Sequence, residues 1–135
     1  MILVDSTVWF ELLRNRKTTM PVARLRKLLD LGEAAASPVI AQEVLQGATN
    51  AQSFGKLRKY FMGIPLLGAH RTVELHIAAA ELYARARSSA ITPQSPHDCL
   101  IAVTAIEEDV PLLHDDSDFE HLATVEPRLK LLPRQ

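Results

Sequence analysis

The sequence predicts an α/β fold, a single domain over residues 1–135 in which a central parallel sheet of four to five strands carries helices on both faces. Short aliphatic runs alternate with helix-length segments from one end of the chain to the other, the order that builds a parallel sheet. The runs do not alternate apolar with polar residues, which is typical of strands buried on both faces. The chain has 135 residues, of which 47% are hydrophobic and 5% aromatic, enough for one mainly aliphatic core.

In the first half of the chain, helix end signals separate the elements. Asp, Ser and Thr favour a helix N-cap, Pro favours the first helical position, and Gly favours the stop. These signals predict, in order, a strand over residues 1–4, a helix opened by residues 5–7 and passing through residue 13, a helix from Pro21 to Gly32, a weak strand over residues 34–36, and a helix from Ser37-Pro38 to Gly47.

The second half continues the alternation. Its predicted elements are a helix over residues 53–62, a strand over 64–67, a long helix over 72–89, a helix over 95–108, a strand over 111–114, a short helix over 117–123, and a weakly marked fifth strand over 129–132. In the long helix, the predicted buried face includes Val73, Ile77, Ala80 and Ala84.

Charge and composition limit the classes of function. A net charge of −1 and a pI near 6.5 argue against a protein held to nucleic acid by bulk positive charge. A metal-loaded acidic site can still attract phosphate locally, so a nuclease stays open. The single cysteine excludes an intrachain disulfide and fits a reducing compartment. No apolar run approaches membrane length, and Asp5 follows too early for a signal peptide, so we expect a cytoplasmic protein without membrane contact.

Four acids stand beside core-forming segments. Asp5 closes the first predicted strand, Asp116 follows the fourth, and Asp98 lies in the first turn of a helix. Glu43 comes three residues after Ile40, so helical spacing puts it against an apolar stripe, where an unpaired carboxylate is costly. Because ligands bind outside the carboxyl ends of parallel strands, we expect these acids to form one negative pocket. The five histidines and the cysteine show no zinc-site spacing, so carboxylate ligands favour Mg²⁺ or Mn²⁺.

Each acid also has a structural explanation. Three of them could serve as helix caps or favour a helix dipole, and Glu43 could pair with Arg71 or Arg85. Four such acids all pointing to one edge of the sheet are harder to explain in this way. Two histidines, His97 and His114, adjoin the same edge and could touch a substrate.

The acids lie in four short blocks spread over the chain. The blocks read, in order, Ile-Leu-Val-Asp-Ser-Thr-Val-Trp at residues 2–9, Ser-Pro-Val-Ile-Ala-Gln-Glu-Val at 37–44, Asp-Cys-Leu-Ile-Ala at 98–102, and Leu-Leu-His-Asp-Asp-Ser-Asp-Phe at 112–119. Each block alone is moderately specific, whereas the ordered set at this chain length is highly specific. The set resembles the PIN-domain ribonucleases and, within them, the VapC-type toxins of bacterial toxin–antitoxin pairs.

The resemblance implies an RNA-cleaving site built from the acidic quartet Asp5, Glu43, Asp98 and Asp116. Asp5 and Asp98 are then the most direct ligands of a Mg²⁺, for which Mn²⁺ can substitute, and Asp116 helps through a second metal or a bound water. Glu43 would orient the attacking water or accept its proton. In-line attack would leave a 5′-phosphate and a 3′-hydroxyl.

The same resemblance concerns four further residues. Asp118 matches an additional acid of the family's last block, and Thr7 matches a small hydroxyl residue near the metal. His114 stands where the family usually has Thr or Ser, and Asp115 adds a third acid beside Asp116 and Asp118.

The resemblance also implies partners. A VapB-like antitoxin would hold the toxin inactive by placing an arginine among the acids, since a guanidinium can replace the cation's charge. The long helix and those before it offer apolar surface for a homodimer and for the antitoxin. Two basic clusters, Arg14 with Arg16 and Lys17, and Lys56 with Arg58 and Lys59, are either solvated surface, the commoner case, or contacts with single-stranded RNA.

Three alternatives remain at this point. A non-catalytic module of the same fold could keep the acidic pocket to capture a partner's arginine, and metal-dependent RNA cleavage by the free protein separates the two. A phospho-acceptor receiver domain expects an acidic pair near its first strand and a lysine after its last. A phosphatase of the Asp-x-Asp type expects a second acid two residues after Asp5, where Thr7 stands.

Overall fold

The structure, a computed structural model, describes residues 1–14 and 18–135 and contains a parallel three-stranded sheet in the order β2-β1-β3. The central strand, β1 (Ile2–Val4), pairs with β2 (Ala34–Ala35) on one side and with β3 (Leu112–Leu113) on the other. In this register Leu3 lies opposite Ala35 and Leu112. The predicted α/β fold with a parallel sheet is therefore confirmed.

The predicted count of four to five strands is not confirmed. The segments over residues 64–67 and 129–132 reach the sheet only through single parallel bridges, Ala36 with Leu66 and Leu112 with Leu131. Around the first bridge, the Leu67 N–H donates to the Ala36 carbonyl at 2.8 Å. The next rung of that ladder would need an N–H from Pro65, which has none, so the pairing stops after one residue.

Seven helices are present in the described residues. They are α1 (Ser6–Arg14), α2 (Met20–Leu31), α3 (Pro38–Gln46), α4 (Ala51–Phe61), α5 (Thr72–Ser88), α6 (Pro96–Glu107) and α7 (Ser117–Val125). Helix α4 begins two residues before the predicted start because the Asn50 side chain caps it, accepting the Ser53 N–H at 2.8 Å. Gly32 ends α2 in the left-handed conformation, at φ 69°. Within residues 1–14 and 18–135, none of the helices combines the length and the apolar character needed to cross a membrane.

Both faces of the central strand are buried. Leu3 and Val4 are neighbours on β1, so their side chains point to opposite faces, and neither is exposed to solvent. This agrees with the unalternated apolar pattern of the sequence. Helix α6 is buried over most of its length, from Asp98 to Ala105. Its contact with α5 is the most extensive contact between two helices of the described residues.

The buried face predicted for α5 is wrong. The residues that face the core are Leu75, Ala79, Leu82 and Ala86. Of the predicted set, Val73 is 71% exposed and Ile77 is 56% exposed, while Ala80 and Ala84 also face solvent. Both sets follow helical spacing, so periodicity alone could not choose between them. The consequence is an exposed apolar stripe, defined by Val73, Ile77, Ala80 and Ala84, along the outside of α5.

Candidate metal centre

Three carboxylates form a compact group at the carboxyl-end edge of the sheet. Asp98, Asp116 and Asp118 each offer an oxygen, and these oxygens all lie within 4.8 Å of one another. Asp98 is 8% exposed and comes from the first turn of α6. Asp116 is the N-cap of α7, where its Oδ1 accepts the Asp118 N–H at 2.9 Å. The Gln94 N–H donates a hydrogen bond to Asp118 Oδ2 at 3.0 Å.

Asp5 occupies the end of β1 and is 2% exposed. Its Oδ2 accepts two hydrogen bonds from Thr7, one from Oγ1 at 2.6 Å and one from the backbone N–H at 3.2 Å. The same Thr7 hydroxyl oxygen accepts the N–H of Asp115 at 3.2 Å. Thr7 therefore connects the carboxyl ends of β1 and β3, the two strands that carry Asp5 and Asp116.

Glu43 has one carboxylate oxygen that lacks a protein donor among the described residues. It lies half-buried on α3, and its Oε1 is a buried oxygen without a hydrogen-bond donor among the described residues. The two arginines considered as partners are paired elsewhere, Arg71 with Glu107 at 3.8 Å and Arg85 with Glu126 at 2.9 Å. An orphaned carboxylate oxygen beside other acids fits a position that a cation or a water molecule completes.

The electrostatics show that these acids share one site. Burial, followed by the charges of Asp5, Asp116, Asp118 and Glu43, raises the pKa of Asp98 to about 8. Burial also raises the pKa of Asp5 against the opposing hydrogen bonds of Thr7 and Ser6, and the charge of Asp116 raises it further. For Glu43, burial and then the charge of Asp5 raise the pKa, while a side-chain hydrogen bond with Ser6 lowers it. The four acids singled out in the sequence are thus brought together.

The donor set fits a hard divalent cation. All the convergent groups are carboxylates, which suit Mg²⁺ and Mn²⁺, and a cation would relieve their mutual repulsion. The compact group contains Asp98, one of the two predicted direct ligands, together with Asp116 and Asp118; Asp5, the other, lies outside that group. Helix capping and cation binding are compatible in Asp116, because the cap uses only one carboxylate oxygen.

Asp118 has a larger part in the site than its sequence position suggested. In an Asp-Ser-Asp segment at a helix start, the N-cap residue and the second helical residue can both face the helix N-terminus. The spacing of Asp116 and Asp118 thus carried a signal, but the sequence could not show that Asp98 lies opposite them.

The two histidines at this edge differ. His114 is 1% exposed and so presents no surface to a substrate, and burial lowers its pKa. His97 is exposed and immediately precedes Asp98. Of the predicted RNA-binding clusters, Lys56, Arg58 and Lys59 lie exposed on α4. In the other cluster Arg14 ends α1, 3.5 Å from Glu11, while Arg16 and Lys17 lie outside the described residues.

Comparison with known proteins agrees with this geometry. The family model of the PIN domain matches residues 2–125, nearly the whole chain. The chain belongs to the PIN-domain family. Two similar proteins are VapC ribonuclease Mb1587 of Mycobacterium bovis and Ribonuclease VapC11 of Mycobacterium tuberculosis. Each is 33% identical over 127 residues, which cover 93% of this chain and 93% of the relative.

The resemblance drawn from the four sequence blocks is confirmed by these matches. In this PIN domain the acids occupy the sheet edge at which open α/β folds bind their ligands. A receiver domain and an Asp-x-Asp phosphatase are set aside, because the PIN-domain match spans every block on which those alternatives would rest.

Proposed function

We propose that this PIN domain is the toxin of a type II toxin–antitoxin system, a Mg²⁺-dependent endoribonuclease that a VapB-like antitoxin inhibits. The observation that carries the proposal is the compact group of carboxylates around the buried Asp98, with oxygens within 4.8 Å of one another, in a chain 33% identical to proteins named VapC ribonucleases. An RNA substrate and a buried free thiol, Cys99, suit the cytoplasm as the place of action.

The positions of the acids support the following catalytic roles. Asp5 and Asp98, with Asp116 and Asp118, would hold Mg²⁺ or Mn²⁺. A bound cation would lower the pKa of a water molecule that it binds and would offset the charge that grows on the phosphate in the transition state. Glu43 would orient the attacking water or accept its proton, and its Oε1, which no described donor occupies, supports this role. In-line attack leaves a 5′-phosphate and a 3′-hydroxyl.

The direct test is RNA cleavage by purified variants. Asp5→Asn and Asp98→Asn should each abolish cleavage of single-stranded RNA in Mg²⁺ or Mn²⁺, because each removes a ligand charge. Asp109→Asn is the control: it makes the same change of charge at a residue 85% exposed, beyond the far end of α6. Retained cleavage in Asp98→Asn would refute the ligand role. A wild-type protein that binds antitoxin but cleaves no RNA with either metal would instead be the non-catalytic module.

An apolar groove supports the antitoxin part of the proposal. It has a volume of about 640 Å³ between α1, α3 and α4, and Phe10, Leu13 and Leu57 line it together with the cationic Arg14 and Lys56. An apolar tail with acidic side chains would suit this lining, while an arginine of the same tail reaches the acids. Leu13 is 49% exposed, so Leu13→Asp should fold and should weaken inhibition by the antitoxin. Undiminished inhibition of that variant would place the antitoxin elsewhere.

The exposed stripe on α5 supports a homodimer. Val73 and Ile77 are its two large side chains, and apolar side chains exposed in a row are typical of contact surfaces. Ile77→Asp should convert a dimer to a monomer in size-exclusion chromatography with light scattering. Met62→Asp, at an exposed apolar residue next to α4 and off the stripe, is the matched control. A dimer that survives Ile77→Asp would exclude this stripe as the interface.

A further inference from the structure

His114 is a buried polar residue in the short connection between β3 and α7. Its Nδ1 lies 3.0 Å from the carbonyl oxygen of Asp116 and 3.3 Å from the backbone nitrogen of Asp116. The ring also makes an edge contact with the buried Phe119, at a centroid distance of 5.4 Å and an interplanar angle of 67°. The imidazole is therefore held between the hydrophobic core and the main chain of a candidate metal ligand.

A neutral imidazole can bond to Asp116 in either tautomer. With the proton on Nδ1, the ring donates to the Asp116 carbonyl; with the proton on Nε2, Nδ1 accepts the Asp116 N–H. Both arrangements tie the ring to the main chain of the same residue, and Phe119 fixes the plane of the ring. The tautomer therefore does not alter the consequence, which is a restrained main chain at Asp116.

The position of the Asp116 main chain decides where its carboxylate points. Its side chain caps α7 and also belongs to the compact acid group with Asp98 and Asp118. On the preceding residue, Thr7 Oγ1 accepts the Asp115 N–H at 3.2 Å. Two side chains thus hold consecutive residues of this connection, the half-buried Thr7 from the start of α1 and the buried His114 from the connection itself.

We propose that His114 is a positioning residue, which fixes the Asp116 carboxylate toward Asp98 and thereby sets the affinity of the site for its divalent cation. The inference rests on the proposed metal-dependent function, because it assigns a role toward that cation. Groups that orient ligands in this way typically change metal affinity or activity by about 10- to 100-fold when they are removed.

Three substitutions separate this role from plain core packing. His114→Asn keeps a polar atom at the position of Nδ1, whereas His114→Leu keeps the volume and loses both hydrogen bonds. His114→Gln moves the polar atoms toward the position of Nε2. We expect His114→Leu and His114→Gln to bind Mn²⁺ about 10- to 100-fold more weakly than the wild type, and His114→Asn to stay close to it.

The measurement is a Mn²⁺ titration of the full chain, followed by the electron paramagnetic resonance signal of free Mn²⁺, with the unfolding temperature of each metal-free variant measured alongside. Equal Mn²⁺ affinity in His114→Leu and the wild type would overturn the role of His114 and leave the proposed function standing. Equal losses in His114→Asn and His114→Gln would also overturn it, and this comparison serves if His114→Leu does not fold. A wild type that binds no Mn²⁺ would refute the inference and the metal-dependent function together.

Discussion

Replacing Asp98 by Asn should stabilise the metal-free protein at neutral pH. Burial and four neighbouring acids raise the pKa of Asp98 to about 8, so its folded state resists giving up the proton. In the unfolded chain the carboxyl returns to its ordinary pKa of 3.8. Between these two values the folded protein holds a proton that the unfolded chain has lost. Stability contributed by this residue is therefore complete below about pH 4 and falls as the pH rises towards 8.

The magnitude follows from the pKa difference. One pKa unit corresponds to about 1.4 kcal/mol, so by about pH 7 the raised pKa of Asp98 costs the folded state roughly 4 kcal/mol. An amide at this position does not titrate, and Asp98→Asn removes the cost. Neighbouring carboxylates can move or take up protons, which reduces the repulsion at Asp98. We therefore expect Asp98→Asn to raise the free energy of unfolding by roughly 2 to 4 kcal/mol at about pH 7 and hardly at all at about pH 4.

Urea denaturation in a chelator, at several values of pH, measures this difference. Asp109→Asn is the control, since Asp98 lies in the first turn of α6 and Asp109 lies beyond its other end. Its backbone has φ 53°, a conformation that Asn also adopts, and its exposed pair with Lys130 contributes at most about 1 kcal/mol. Addition of Mn²⁺ should stabilise the wild type more than Asp98→Asn. Equal stability of Asp98→Asn and Asp109→Asn at neutral pH would refute the electrostatic reasoning.

Two further predictions concern stability away from the candidate metal centre. Glu126 is 4% exposed, and hydrogen bonds, first from Arg128 and then from Arg85, hold its pKa at about 2. Glu126→Gln should therefore lower the free energy of unfolding by about 2 kcal/mol near neutral pH, and by less as the pH falls from 4.5 towards 2. An unchanged midpoint of urea denaturation would contradict this. Gly68 has φ 77°, and a Cβ there would lie 2.6 Å from Leu75 Cδ1. Thermal unfolding of Gly68→Ala should therefore show a free energy of unfolding that is lower by about 1 to 3 kcal/mol. Gly55 lies in open space on α4, so Gly55→Ala should raise the free energy of unfolding by about 0.5 to 1 kcal/mol.

Much of the fold could be predicted because its signals are local. The apolar run at the N-terminus gave β1, and the caps and stops gave helix boundaries such as Pro38 for α3 and Gly32 after α2. The strand predicted over residues 64–67 is missing from one edge of the sheet because of a residue within it. A strand needs a run of paired donors and acceptors on its neighbour, and Pro65 interrupts that run after a single bridge.

The acidic quartet was identifiable because each acid adjoins a buried segment, where a charge that has no partner raises the free energy of the folded state. The sequence alone thus determined the α/β class, most helix boundaries and the acids that form the candidate site. Tertiary packing decided which face of α5 is buried, because two apolar faces of equal period compete and only contact with α6 and α7 selects between them. Packing also brought Asp118 beside Asp98, since distances between residues far apart in the chain exist only after folding, and it buried the ring of His114 against Phe119 and the main chain of Asp116.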